Sequence, residues 1–213
     1  MALAVSRYEL GPIGTNCYIV RADLGAPGAV VIDPGADAPA ISLELAGMAA
    51  RCDGILITHG HWDHLGGVAD LAESTGASVW MAEDERGRLE RPAEFISAPG
   101  ISIRPWVPDT GLLGSETIEV GGISFQVVSV PGHSPAHIAY YSDGHLFSGD
   151  VLFAGSVGRT DLPGSSWETL VESIRTLVDR FPADTVVHSG HGPETTLGDE
   201  LARNPFLAEL RAS

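Results

Sequence analysis

Four metal-ligand side chains fall within six residues in the stretch Thr58-His59-Gly60-His61-Trp62-Asp63-His64. Imidazole and carboxylate together suit zinc, iron or manganese, and no thiolate belongs to the cluster. A lone loop histidine is ordinarily solvated or hydrogen-bonded, whereas four ligand-type residues on one loop point to a bound cation. Gly54-Ile55-Leu56-Ile57, just upstream, reads as a buried strand, and residues 65–76 read as a helix. His59, His61, Asp63 and His64 are therefore expected on a strand-to-helix loop.

The remaining ligands of such a site must come from elsewhere in the chain. Residues 124–130 alternate like a strand and break at Pro131-Gly132-His133-Ser134. Residues 144–147 read as another strand, ending at Ser148-Gly149-Asp150, and 184–187 run into His188-Ser189-Gly190-His191-Gly192-Pro193. Each candidate ligand lies just past an apolar run and beside Gly or Pro, where a rigid sheet can hold it on a short, sharply turned loop.

Further strands are expected at 5–10, 17–20 and 29–32, and helices at 39–50, 65–76 and 167–181. Ser166 precedes the last helix, but with Thr169 it does not complete a capping box. Asp143-Gly144 and Gly121-Gly122 are hairpin signals, and the mixed order of elements argues for an α/β sandwich with helices outside. Residues 83–91 alternate acidic and basic side chains and read as a solvated helix. The segment with Pro92, Pro99, Pro105 and Pro108 around Trp106 is irregular, which fits a lid over the site or a plain surface excursion equally well.

With 213 residues, no linker and no short internal period, residues 1–213 are expected to form one domain. The formal charge of −16 disfavours nucleic acid as a partner, because phosphate backbones are bound by basic faces. No apolar run approaches the length of a membrane span, and the first residues lack the pattern of a secretory signal. A cytoplasmic location with no membrane partner is the expectation. Cys17 and Cys52 are read as free thiols, with Cys17 in the core.

THGHWDH, PGHSPAH, FSGDVLF and SGHGPETT together resemble the metallo-β-lactamase superfamily, and within it the glyoxalase II-like (hydroxyacylglutathione hydrolase-like) branch. Val31-Ile32-Asp33-Pro34-Gly35 and Gly158-Arg159-Thr160-Asp161 also fit the short, single-domain members. The motifs span Asp33 to Pro193, almost the whole chain. The resemblance implies a four-layer αββα sandwich, two mixed sheets with helices on the outer faces. It implies two divalent metal ions, zinc foremost with iron or manganese as options. His59, His61 and His133 would hold the first, Asp63, His64 and His191 the second, and Asp150 would bridge them together with a hydroxide nucleophile.

The activity implied is hydrolysis of a small-molecule acyl-thiol, with Asp63 also accepting or relaying a proton. The longer glutathione hydrolases carry a C-terminal helical domain; this chain runs only to Ser213, so that domain is expected to be absent and glutathione is not singled out. Arg159 matches a substrate-binding basic residue of the family, or pairs with Asp161 to stiffen its loop. Asp33 either orients a ligand imidazole or closes a turn on its own backbone. His137 either points away from the metals or supports them by a hydrogen bond, while His145 and His188 read as ordinary surface or strand-end residues. Two other functions stay open: a mononuclear-iron persulfide dioxygenase using His59, His133 and Asp150, and a non-catalytic protein with a vestigial metal site. Oligomeric state is not legible.

Overall fold

Side chains of successive strand residues point to opposite faces, and in this protein both faces are commonly buried. In strand β3 (Gly28–Ile32), Ala29 and Val31 enter one apolar cluster while Val30 and Ile32 enter another. Strand β2 (Thr15–Arg21) divides in the same way, Cys17 and Ile19 facing one cluster and Tyr18 and Val20 the other. A strand of this kind must be covered on both sides. The computed structural model, which describes residues 2–96 and 100–210, shows what covers it.

The first sheet is ordered β1 (Ala4–Leu10), β2, β3, β4 (Arg51–Leu56), β5 (Ser78–Ala82) and β6 (Thr110–Leu112). Its first three strands form an antiparallel meander, and β3 to β6 pair in parallel. Helices α1 (Ala38–Gly47), α2 (Trp62–Leu65) and α3 (Val68–Thr75) supply the crossovers around β4. The outer cluster of this sheet takes Ile41 and Leu45 from α1 and Val68, Leu71 and Ala72 from α3. A five-residue helix, α4 (Arg86–Glu90), follows β5.

The second sheet is built from β7 (Thr117–Val120), β8 (Ile123–Ser129), β9 (Ile138–Ser142) and β10 (His145–Gly149), all antiparallel neighbours. After a small hairpin of β11 (Leu152–Phe153) and β12 (Ser156–Val157) and helix α5 (Trp167–Arg180), β13 (Val186–Ser189) returns parallel to β10. Strand β14 (Thr195–Thr196), helix α6 (Leu197–Arg203) and a 3₁₀ turn at Pro205–Leu207 follow. Phe125, Val127, Tyr140 and Phe147 fill the space between the sheets, and Leu170, Ile174 and Leu177 of α5 pack on the outer face of the second. Helices, sheet, sheet, helix: this is the αββα sandwich.

The expected strands are present with ends displaced by a few residues, and Asp143-Gly144 and Gly121-Gly122 both form turns between antiparallel strands. Three expectations need correction. The helix expected at 39–50 stops at Gly47, because Ala49 turns into the left-handed region at φ 51°. The helix expected at 65–76 starts only at Val68, and a separate short helix, α2, ends at Leu65. Gly67 N–H donates to Pro34 carbonyl oxygen at 2.7 Å, which takes the backbone out of the helical ladder between α2 and α3. Asp63 and His64 consequently lie inside the short α2, not on a loop. At 83–91, a 3₁₀ turn precedes α4, and this segment is not solvated all round: Glu85 and Leu89 are buried.

Among the described residues, no helix is long and apolar enough to cross a membrane. Cys17 and Cys52 are both free and buried. Ser166 Oγ accepts the Thr169 N–H at 3.3 Å, a simple cap in place of the reciprocal box.

Gly132 shows how tightly the outer helix is seated on the loop carrying His133. Its φ is +134°, and a Cβ there would overlap the backbone of Leu170. Gly132→Ala is expected to lower stability by at least about 2 kcal/mol through strain and overpacking. Chemical denaturation would measure this, and an unchanged midpoint would contradict the packing described.

Candidate metal centre

Five of the seven candidate ligands lie just past the C-terminal ends of strands, and the other two lie in the short helix α2. His59 and His61 follow β4, His133 follows β8, Asp150 follows β10 and His191 follows β13, while Asp63 and His64 come from α2. The parallel pairings β3–β4 and β10–β13 bring like ends together, so loops from both sheets meet at one edge of the sandwich.

The polar atoms converge closely. His61 Nδ1 stands 3.0 Å from His59 Nε2 and 2.8 Å from His133 Nε2. Asp63 Oδ2 lies 3.3 Å from His64 Nε2 and 3.2 Å from His191 Nε2. Asp150 stands between the two groups, with Oδ1 3.5 Å from His64 and Oδ2 3.5 Å from both His133 and His191. Three sets have ligand atoms within 4.8 Å of one another: His59, His61 and His133; His59, His64 and Asp150; and Asp63, His64 and His191.

The outward-facing atoms are held by the fold. Asp33 accepts from Thr58 N–H at 2.8 Å and from Thr58 Oγ1 at 2.7 Å, and its Oδ2 lies 2.9 Å from His64 Nδ1. The left-handed φ of 51° at Asp33 turns the chain, but its carboxylate engages Thr58 and His64, not its own backbone. Because Thr58 Oγ1 donates to Asp33, it is free to accept from His59 Nδ1 3.1 Å away. His133 Nδ1 donates to Arg159 carbonyl oxygen at 2.9 Å. Each of these contacts leaves Nε2 directed into the cluster, which is how a metal-binding imidazole is normally oriented.

His137 is fully buried; its Nε2 accepts Asp150 N–H at 3.2 Å, and its ring stacks on His59 at 4.5 Å. It thus supports the ligand loops through that hydrogen bond and the stacked ring. His188 is also buried, stacked on Phe147 between the sheets and 2.8 Å from His145 Nδ1, so it is no ordinary surface residue.

Electrostatics divide the cluster. Burial and then the neighbouring imidazoles push His59 well below the ordinary histidine range and His61 down to about 3, with Arg88 contributing at His61. Burial also lowers His133, against the pull of Asp150. These three are neutral, the form that binds metal. At His64, burial opposes protonation, but Asp33 and Asp150 overcome it and raise the pKa. His191 is raised in the same way by Asp63 and Asp150. Burial works against ionisation of Asp63 and Asp150, yet the surrounding imidazoles win: Asp63 is held below the usual carboxylate range, and Asp150 at about 2.

These residues fit a pair of divalent ions. His64 Nε2 and Asp150 Oδ1 are buried without a hydrogen-bond partner among the described residues, an arrangement that is costly unless something else satisfies them. Facing imidazole nitrogens at 2.8 and 3.0 Å are slightly closer than the roughly 3.3 Å implied by tetrahedral zinc–nitrogen bonds of about 2.0–2.1 Å. A small outward relaxation would admit an ion.

His61, Asp63, His133, Asp150 and His191 open onto a cavity of about 880 Å³. Phe95, Ile96, Phe153, Val157 and Leu162 supply its apolar lining. The proline-rich stretch therefore contributes part of the wall, while Ile103 and Trp106 pack into the core. Arg159 reaches this cavity with its Nε and Nη2 bound to Asp161 at 2.6 and 2.7 Å.

Two residues here escaped sequence reasoning. Thr15 donates to Asp63 Oδ2 at 2.9 Å, and nothing in its strand marks it out. Glu85 is buried; its carboxylate accepts the N–H of Gly60, between two ligands, and that of Ala136 at 3.2 Å, near His133. One acidic residue thus ties two ligand loops together, hidden from sequence reading by the charged residues around it.

Removing that acceptor leaves the buried Gly60 N–H and the half-buried Ala136 N–H unpaired. Glu85→Ala is therefore expected to cost at least about 2 kcal/mol, read as a fall in denaturation midpoint; wild-type stability would refute the tie. Metal uptake is expected to release protons, because His64 and His191 retain theirs above the ordinary pKa and must lose them to bind. Apparent affinity should accordingly rise with pH through those raised values. Calorimetric titration with zinc in two buffers of different ionisation enthalpy counts the protons, and a count of zero would contradict this description.

Comparison with known proteins agrees with the geometry. Residues 10–191 match the metallo-beta-lactamase superfamily. Hydroxyacylglutathione hydrolase GloC of Haemophilus influenzae is 34% identical over 197 residues, 90% of this chain and 92% of that protein. A probable metallo-hydrolase of Bacillus subtilis, YqgX, is 35% identical over 205 residues, 94% of this chain and 96% of that one. Among solved structures, the B3 metallo-beta-lactamase BLEG-1 superposes with a TM-score of 0.89 at 38% identity, covering 96% of this chain and all of that one. TTHA1623, crystallised in a di-iron-bound form, gives 0.85 at 39% identity over 95% of this chain and all of that one. Fold, motif order and sequence similarity over nearly the full length agree: this chain belongs to the metallo-beta-lactamase superfamily.

Proposed function

We propose that this protein is a metal-dependent hydrolase that cleaves thioesters of low-molecular-weight thiols. The observation that carries the reading is the convergence of seven imidazole and carboxylate side chains at the floor of a largely apolar cavity. The similarity to a hydroxyacylglutathione hydrolase over nearly all of both chains supports the substrate class.

His59, His61 and His133 would hold one ion, Asp63, His64 and His191 a second, and Asp150 faces both groups. Bound divalent metals polarise a carbonyl and lower the pKa of coordinated water from about 15.7 to about 7, so that a nucleophile exists at neutral pH. Everything else falls to the chain. Asp63, held ionised and fixed by Thr15, has no proton of its own to supply. The cavity thus favours a leaving group that departs without strong acid assistance. A thiolate does so, since its thiol pKa is only about 8.5; an alkoxide does not. Phe95, Ile96, Phe153 and Leu162 exclude water from the acyl chain, and Arg159 at the rim contacts the far end of the thiol.

A mononuclear dioxygenase would use His59, His133 and Asp150 and leave four further convergent ligands without a role. The full set therefore favours the two-metal hydrolase. The same completeness argues against a vestigial site.

Purified protein should contain about two metals per chain and hydrolyse members of a thioester panel. His61→Ala should reduce kcat/KM by at least about a hundredfold and lower bound metal. Normal turnover by that variant would refute the assignment, and one iron per chain with sulfide-dependent oxygen uptake would replace hydrolysis by the dioxygenase.

A further inference from the structure

Four arginines are neutralised where they stand. Arg51, Arg86, Arg104 and Arg159 each donate hydrogen bonds to nearby carboxylates. Arg88 is different. Its side chain is only 20% exposed, and among the described residues its one ion-pair contact is Glu85, with Nε 3.8 Å from Oε2. That distance is too long for a hydrogen bond. Glu85 is already engaged: its two oxygens accept from Gly60 and Ala136.

The position of Arg88 is fixed by packing. Its stem lies against Gly60, the residue between His59 and His61; a Cβ at Gly60 would overlap Arg88 Cδ. Its guanidinium carbon sits 5.3 Å from the centre of the Phe95 ring. Arg88, His61 and Phe95 all line the same cavity. A guanidinium held by packing, with donors unused among the described residues, beside the proposed reacting centre and within an apolar wall, is a carboxylate-recognition element.

We infer that Arg88 selects substrates that bear a carboxylate, its guanidinium pairing with that group while the thioester lies over the His61 side of the site. This rests on the thioester-hydrolase reading and deepens it. Arg159 is the weaker discriminator, because Asp161 already occupies two of its donors and both side chains are well exposed. The carboxylate could belong to the thiol or to the acyl group, and the cavity's chemistry is the same for either.

Two matched pairs separate these sources: S-acetyl thioglycolate with its methyl ester, and the S-succinyl thioester of N-acetylcysteamine with its methyl ester. The wild type should prefer the charged member of at least one pair by about tenfold in kcat/KM, the size of one charge-assisted hydrogen bond. The pair showing the preference identifies which half carries the carboxylate. Arg88→Met should abolish the preference mainly through KM for the charged member. Arg88→Lys should restore part of it, and Arg159→Met should lower it less than Arg88→Met does. An unchanged ratio in Arg88→Met, or a larger loss in Arg159→Met, overturns the inference. If none of the four is hydrolysed, the hydrolase reading fails, and Arg88 is judged by binding alone. Calorimetric titration of the metal-loaded protein with mercaptosuccinate should then show at least about fivefold weaker binding in Arg88→Met, and equal affinity overturns the role.

Discussion

Seven titratable side chains can share one small volume only if the fold satisfies their outer atoms and leaves their inner ones facing each other. Burying a polar group without a partner is costly, and burying an unpaired charge is costlier still. Asp33 is the piece on which this arrangement most depends. Its carboxylate binds the backbone and hydroxyl of Thr58 and the imidazole of His64. It thereby joins the end of β3 to the end of β4 and to α2. The Thr58 hydroxyl passes this constraint to His59, so two ligands take their orientation from one buried acid.

The sheets matter because they bring these ends together. Parallel pairing of β3, β4 and β5 in one sheet, and of β10 with β13 in the other, puts the ligand-bearing turns on a common edge. Packing across three apolar layers then fixes the turns against one another. A well-packed interior resists small displacements, so the ligand geometry inherits the rigidity of the sandwich.

Segment 83–96 links the ligand loops to the cavity. Seen as a string of charges it is an exposed helix, but in three dimensions it divides its labour. Glu85 points inward to tie the loops of His59–His61 and His133. Arg88, one helical turn later, lies along the same loop toward the cavity, and Phe95 and Ile96 continue the wall. Charge alternation alone does not distinguish a solvated acid from a buried one holding two backbone N–H groups, since the difference lies in what packs on top of it.

Much of the candidate site was legible before any coordinates. Ligand-type residues clustered in one motif, recurred beside Gly and Pro after apolar runs, and matched a family pattern from Asp33 to Pro193. Strand periodicity was equally readable, because burial on alternate faces is written directly into residue order. Boundaries were less so: Gly67 leaves the helix for the carbonyl of Pro34, a partner more than thirty residues away, which no local propensity reports. The same reason hid Thr15, Glu85 and Arg88, and left open whether Asp33 closes a turn or holds a histidine. Residue types and their order determined what kind of chemistry and which sandwich this chain can support. Only the tertiary structure decided which acids and cations stand beside the candidate metal centre, because that depends on contacts between segments distant in sequence.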